Sequence, residues 1–212
     1  MKRSDVLFVV GFSAEAALLP PDARVICAAA NPARLDALLA EETPAALLSF
    51  GIAGALDPGL SPGALIAASA VIAGHAMATD ATWTRAIAAA TGARIAPIAG
   101  SDSLVPDAAA KTSLMAATGA AAVDMESQVV ARHARRLGVP FAVLRAIADT
   151  ADEAIPRAAA NGLDAAGNPA PWQVMCGLLR RPQDLPGVIR LARRSRAALS
   201  ALADAAPRIP LP

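Results

Sequence analysis

The sequence predicts an α/β fold, with a largely parallel or mixed β-sheet covered by helices on both faces. Three observations carry this. Apolar runs of strand length recur without polar alternation, as strands buried on both faces require. Between them lie segments with apolar residues at helical spacing. Hydrophobic residues make up 55% of the 212 and charged ones 17%, a balance that suits a large core and not a disordered chain. At this length one domain, residues 1–212, is the simplest organisation.

Taken in order, Val6–Val10 reads as the first strand, and residues 11–14 as a turn that delivers Glu15. The basic start and apolar run superficially resemble a secretory signal. Asp5 interrupts the basic end, however, and the run is short and β-branched, which favours a strand. Residues 24–30 form the next strand, and residues 32–41 a helix with Leu35, Leu38 and Leu39 on one stripe. Residues 45–50 are a buried strand ending in a loop, residues 51–54. Further strands follow at residues 64–73, 93–99 and 139–147, with helices at 81–90, 107–117 and 125–137. Residues 152–172, polar and carrying Gly, Asn and Pro, read as a long loop beside the active site or a lid. Residues 174–179 read as a Pro-bounded connection, and a basic helix follows over about residues 186–205.

Composition narrows the function. A net charge of +1 gives no global reason to expect nucleic acid as a partner. The longest uncharged stretches, such as residues 58–79, are broken by Pro and Gly, so no membrane span is expected. Cys27 and Cys176 lack metal-ligand spacing and read as reduced, buried small side chains in a cytoplasmic protein. His133 falls on an apolar helix stripe and reads as a packed core residue, while His75 carries no interpretation. No metal site, dinucleotide fingerprint or phosphate loop is present in the sequence.

Residues 123–152 concentrate the chemistry. Counting from Glu126, positions Val129, Val130, His133 and Leu137 make the inward stripe of a helix. Ser127, Gln128, Arg132, Arg135 and Arg136 are then expected on the solvent side. In the following strand Phe141, Val143, Arg145, Ile147 and Asp149 share one parity if the pleat continues. An arginine inside a buried strand needs anionic company. A structural ion pair with Glu126 or Glu15 would supply it, and so would a ligand site at the strand ends. Asp149 stands where acid–base work is done in open α/β sheets.

The motifs VDMES, GVPFAVLRAIAD, SFGIAGALDPGL and GSDSLVPD, spread from Gly11 to about Asp152, resemble the nucleoside phosphorylase and nucleosidase superfamily. The C-terminal GLLRRPQDLPGVIRLAR is similar to its hopanoid-biosynthesis-associated subgroup. The resemblance implies a single three-layer domain with a mixed central sheet, and cleavage of the bond between ribose and a purine. Adenine leaves poorly as an anion, so Asp149 would protonate it at N7. Glu126 would hold the ribose hydroxyls and favour the positive charge of the transition state, with Met125 packed under the sugar. Leu104 and Val105 would line the base pocket, Leu104 standing where relatives often have an aromatic ring. Glu15 and Arg145 would position the nucleophile, near the backbone of Gly51, Ile52 and Gly54.

Relatives often place Ser or Thr at the position of Ile52 and Ser at that of Ala148, so phosphate and water both stay open as nucleophile. No cofactor or metal is implied beyond phosphate as a co-substrate. The subgroup implies adenosylhopane as substrate, with its triterpenoid tail, and a homo-oligomer is expected. The basic C-terminal helix then becomes a candidate for peripheral contact with the inner face of the membrane. The alternatives are a methylthioadenosine/S-adenosylhomocysteine or futalosine-type nucleosidase, and a catalytically inactive purine-binding module.

Overall fold

A computed structural model describes residues 2–28, 31–154, 156 and 171–212. Its strands are β1 (Val6–Val10), β2 (Arg24–Cys27), β3 (Ala46–Ala55), β4 (Leu65–Ala73), β5 (His75–Ala78), β6 (Arg94–Gly100), β7 (Ala122–Asp124) and β8 (Phe141–Asp149). Helices are α1 (Ser13–Ala16), α2 (Pro32–Ala40), α3 (Ala81–Thr91), α4 (Ala108–Thr118), α5 (Ser127–Leu137), α6 (Pro171–Arg180) and α7 (Leu185–Ala205).

The sheet is mixed. β1 lies parallel to β2 and β3, and β8 is inserted between β3 and β4, parallel to the first and antiparallel to the second. β4 runs parallel to β6, β6 parallel to β7, and β7 returns antiparallel to the end of β3. The pairings β3–β8–β4–β6–β7–β3 therefore close into a ring, with β8 in its wall.

Both faces of this sheet are covered, which is why its apolar runs lack alternation. β8 shows it directly: Phe141, Val143 and Ile147 enter one core, and Ala142, Leu144, Ala146 and Ala148 the other. The first core takes Leu35 and Leu39 of α2 with Val129, Val130 and Ala134 of α5. The second takes Trp83 and Ile87 of α3 with Ala198, Leu202 and Ala205 of α7. This is the expected three-layer α/β domain.

Several boundaries differ from expectation for identifiable reasons. Residues 51–54 are not a loop but the second half of β3, held by pairing to β8 and β7. β5 and β7 were not expected, because four and three residues are too short to give a periodic signal. α6 occupies the expected connection at residues 174–179. Its Pro171 sits at the helix start, where proline's missing N–H costs nothing. Of the expected strand over residues 24–30, residues 29 and 30 lie outside the described residues, as does most of the expected loop over residues 152–172. His133 is buried as read, with Nε2 2.5 Å from the Leu39 carbonyl. Among the described residues Cys27 and Cys176 are in no disulfide, and both are half-buried where full burial was expected.

Leu202 is the fully buried anchor of α7 in the second core. Leu202→Ala is expected to destabilise the fold by about 2–5 kcal/mol in urea unfolding, the usual range for a leucine with no room to collapse around the cavity.

Candidate active site

The end of β1 begins the site. After Val10 the chain turns through Gly11 and Phe12 into α1, which carries Glu15 inward to full burial. Its Oε2 accepts hydrogen bonds from the N–H groups of Gly11 (2.8 Å) and Phe12 (3.0 Å). Its Oε1 accepts from the N–H of Ile52 (2.8 Å), across on β3. The backbone donor expected to face a nucleophile at Ile52 is thus already used by Glu15.

β7 brings a second carboxylate, Asp124, and the chain then passes through Met125 and Glu126 into α5. Asp124 accepts from the Ser127 N–H at 3.1 Å and also from the Ser127 hydroxyl. β8 delivers Arg145, which has no exposure to solvent. Its Nε lies 2.5 Å from Asp124 Oδ2 and its Nη2 3.2 Å from Glu126 Oε2. Nη2 also donates to the hydroxyls of Ser49 (2.7 Å) and Ser127 (3.3 Å). One guanidinium therefore serves three buried carboxylates, since the Glu15 charge also acts on it.

Two close approaches explain glycines here. A Cβ on Gly51 would lie 2.5 Å from both Arg145 Nη1 and Glu15 Oε1, and one on Gly11 would lie 2.9 Å from Glu126 Oε1. Neither position has room for a side chain.

The electrostatics follow from burial. Loss of solvent pushes Glu15 above its ordinary value, against Arg145 and three backbone N–H groups. Burial pushes Glu126 up to about 7; Arg145 opposes this, while Asp124 and Glu15 add to it. Burial works against the Arg145 charge, but Asp124, Glu126 and Glu15 hold its pKa above the usual range.

Asp149 stands apart from this cluster. The β3–β8 register runs evenly from Leu47↔Phe141 to Ala53↔Ile147 and then skips Ala148, pairing Gly54 with Asp149. The regular register does not continue to Asp149 as expected: it is interrupted at Ala148, as at the β-bulges found beside active sites. Burial raises the Asp149 pKa, and Lys111 of α4, by hydrogen bond and charge, pulls it back. Lys111 donates to Asp149 Oδ1, to the Thr150 carbonyl (2.6 Å) and to the Glu153 carbonyl (3.1 Å).

One pocket joins the two parts. Ile52, Gly54, Leu104, Val105, Met125, Glu126 and Asp149 line it, as expected residues, together with Phe12, Ser103, Lys111, Asp124 and Ala148. Glu15, Arg145 and Gly51 lie behind its wall. The pocket thus presents carboxyl groups from two sides with apolar surface between them, an arrangement suited to acid–base chemistry on a ligand with a flat apolar body. Among the described residues, no group of three or more His, Cys, Asp or Glu is placed to hold a metal ion.

The profile of the phosphorylase superfamily matches residues 25–168, well over half of the chain. The chain belongs to the phosphorylase superfamily. No curated protein sequence matches it. Solved structures similar to this superfamily member include S-adenosylhomocysteine nucleosidase from Streptococcus pyogenes in complex with 5-methylthiotubericidin. That match has a TM-score of 0.67 at 16% identity, covering 100% of this chain and 99% of the other. Futalosine hydrolase of Helicobacter pylori matches at 0.66 and 16%, covering 95% and 97%. A 5′-methylthioadenosine/S-adenosylhomocysteine nucleosidase from Colwellia psychrerythraea in complex with adenine matches at 0.67 and 13%, covering 96% and 95%. At these identities the likeness is one of fold.

Four residues of this superfamily site escaped sequence reasoning. Asp124 is the nearest acidic partner of Arg145, although Glu126 and Glu15 were the expected ones. Ser127 and Gln128 were expected on the solvent side of α5 but are buried. The first turn of α5 abuts the site there: Ser127 bonds Asp124 and Ser49, and Gln128 packs on Gly100 and donates to Asp102 at 2.8 Å. Lys111 looks like a surface residue on an alanine-rich helix. Its one signal is rarity, since the chain has only two lysines among 19 basic residues.

Glu126 titrates near 7 when folded against an ordinary value of 4.5, so its contribution to stability is complete below about 4.5 and lost as pH rises through about 7. Urea unfolding of the wild type should weaken across that window, and Glu126→Gln should remove this component. An unchanged pH dependence in the variant would assign the slope to another group.

Proposed function

We propose that this protein hydrolyses the N-glycosidic bond of an adenine nucleoside, with water as the attacking nucleophile. The observation that carries the reading is the crowding of Glu15, Asp124 and Glu126 around one fully buried arginine. Arg145 is shared among these carboxyl groups, and burial with mutual repulsion already raises Glu126 to about 7, so the pocket floor has little capacity for further negative charge. A phosphate dianion would add to that charge, whereas water suits an acidic, hydrogen-bonded site. Ile52 presents an apolar side chain where a hydroxyl could have held phosphate.

The chemistry divides by environment. Glu126 faces the pocket and accepts the ribose hydroxyls, and its charge favours the oxocarbenium-like transition state. Asp149, raised by burial, gives its proton to the departing purine. Glu15, hydrogen-bonded to the backbone of Ile52 at the pocket lining, is the group proposed to orient and deprotonate water that enters there. Met125, Leu104 and Val105 supply the apolar surface for sugar and base.

The proposed substrate is adenosylhopane, on the strength of the C-terminal sequence resemblance. A second reading is favoured by the similar structures, whose names include methylthioadenosine/S-adenosylhomocysteine nucleosidase and futalosine hydrolase. Purified protein incubated with adenosylhopane or methylthioadenosine, with and without phosphate, separates these by mass spectrometry of the sugar product. We expect phosphate-independent release of adenine from adenosylhopane, a free ribosyl product, and loss of turnover by roughly 10²–10⁴-fold in Asp149→Asn. A phosphorylated sugar would overturn the choice of water. Turnover of methylthioadenosine alone would favour the second reading, and adenine binding without any turnover would make the chain a binding module.

A lipid-tailed substrate makes the α6–α7 region relevant. Met175, Leu179, Leu185 and Ile189 are exposed there, Leu179 at 77%, beside the exposed Arg180, Arg190 and Arg193. Among the described residues no helix is long and apolar enough to cross a membrane. Exposed apolar side chains ringed by arginines fit an anionic lipid surface. We propose that a cytoplasmic homo-oligomer docks there peripherally. Flotation should show binding to vesicles containing phosphatidylglycerol and weak binding to phosphatidylcholine alone; charge-independent behaviour would refute the docking.

A further inference from the structure

Lys111 is a buried cation that the proposed reaction has not used. Its side chain is 1% exposed, and its ammonium has three donors for three acceptors: Asp149 Oδ1 and the carbonyls of Thr150 and Glu153. A lysine so buried is expensive unless fully paired, and this one is. It also reaches the pocket wall. Lys111 bonds Asp149 through Oδ1, and Asp149 itself lines the pocket beside Gly54.

We propose that Lys111 is the positioning residue of the proton donor: it fixes the Asp149 carboxyl and compensates the charge left there when the proton passes to the purine. In that step the Asp149 O–H bond breaks and a bond from hydrogen to a ring nitrogen forms. The electron pair of the glycosidic bond moves into the purine, and a carboxylate remains beside the ammonium. Without the ammonium, that carboxylate would be stranded in a desolvated position, and proton transfer would become uphill. The pair also joins the acid to the chain beyond β8. Glu153, whose carbonyl accepts from Lys111, makes ion pairs through its carboxylate with Arg194 and Arg190 of α7.

A planar guanidinium cannot send three hydrogen bonds from a single nitrogen to three separate acceptors as an ammonium does. A lysine is therefore the fitting residue here, in a chain that otherwise uses arginine for nearly all its positive charge. The other charges near Asp149 are Arg194 of α7, Asp152 and Glu153 after β8, and Asp124 and Glu126 across the pocket. Of these only Arg194, beside Lys111, lowers the Asp149 pKa.

The inference rests on the nucleosidase reading, and its test separates the two. Lys111→Met keeps an apolar stem and removes the charge, while Lys111→Arg keeps the charge and alters the geometry. Carbon-detected NMR titration of the Asp149 carboxyl should show its midpoint moved to higher pH in Lys111→Met and held close to wild type in Lys111→Arg. A general acid must be protonated, so the falling limb of the kcat–pH profile should move alkaline in Lys111→Met. Its kcat should drop on the order of tenfold or more, with KM nearly unchanged.

An unmoved carboxyl midpoint overturns the proposal, as does a loss confined to KM or to thermal stability. The titration needs no turnover, so it decides the role of Lys111 even if no nucleoside is cleaved. Should Lys111→Met fail to fold, Lys111→Arg carries the test: a midpoint shifted as far as in Lys111→Gln would equally refute the role of the charge.

Discussion

The structure depends on one buried guanidinium. Arg145 projects from β8, the strand in the wall of the sheet ring, and draws in Asp124 from the end of β7, Glu126 from the start of α5 and Glu15 from beyond β1. Two separate stretches of chain, one carrying Glu15 and the other Asp124 and Glu126, thus converge on a single charge. Each carboxylate would be costly to bury alone, and together they exceed what one arginine can neutralise. Hydrogen bonds make up part of the difference: three backbone N–H groups for Glu15, and the hydroxyls of Ser49 and Ser127 around Asp124 and Arg145.

The two acidic parts of the pocket are kept distinct by the sheet. Arg145 and Asp149 lie four residues apart on one strand, and a regular pleat would have put them on the same side. The register shifts at Ala148, and Asp149 is paired with the lysine of α4 and not with the crowded guanidinium. A buried acid and a carboxylate cluster can then lie in one pocket, because each has its own counter-charge: Lys111 for Asp149 and Arg145 for the cluster.

Much of this was legible in the sequence where a periodic pattern carried it. The helix–strand alternation predicted the three layers, and the parity of β8 predicted which side chains enter which core. Arg145 announced itself as a charge in an apolar strand. What the sequence hid was what depends on contacts between distant elements. Ser127 and Gln128 look like solvent-side residues when counted along the helix, because nothing local says that the first turn abuts another strand. The bulge has no local signature in FAVLRAIAD. Lys111 reads as an ordinary helix lysine until α4 is docked over the end of β8. β5 and β7 are stabilised by their neighbours in the sheet and not by their own few residues.

Backbone forms much of the site's inner surface. Gly11 faces Glu126, Gly51 faces Glu15 and Arg145, and Gly54 faces Asp149, where a Cβ would lie 3.1 Å from Oδ2. These walls have no side chains through which point substitutions could adjust them without collision. Variation is open where side chains form the lining, as at Leu104, Val105 and Met125. A scaffold built this way separates a fixed acidic core, walled by backbone, from a rim of side chains that can change without disturbing it.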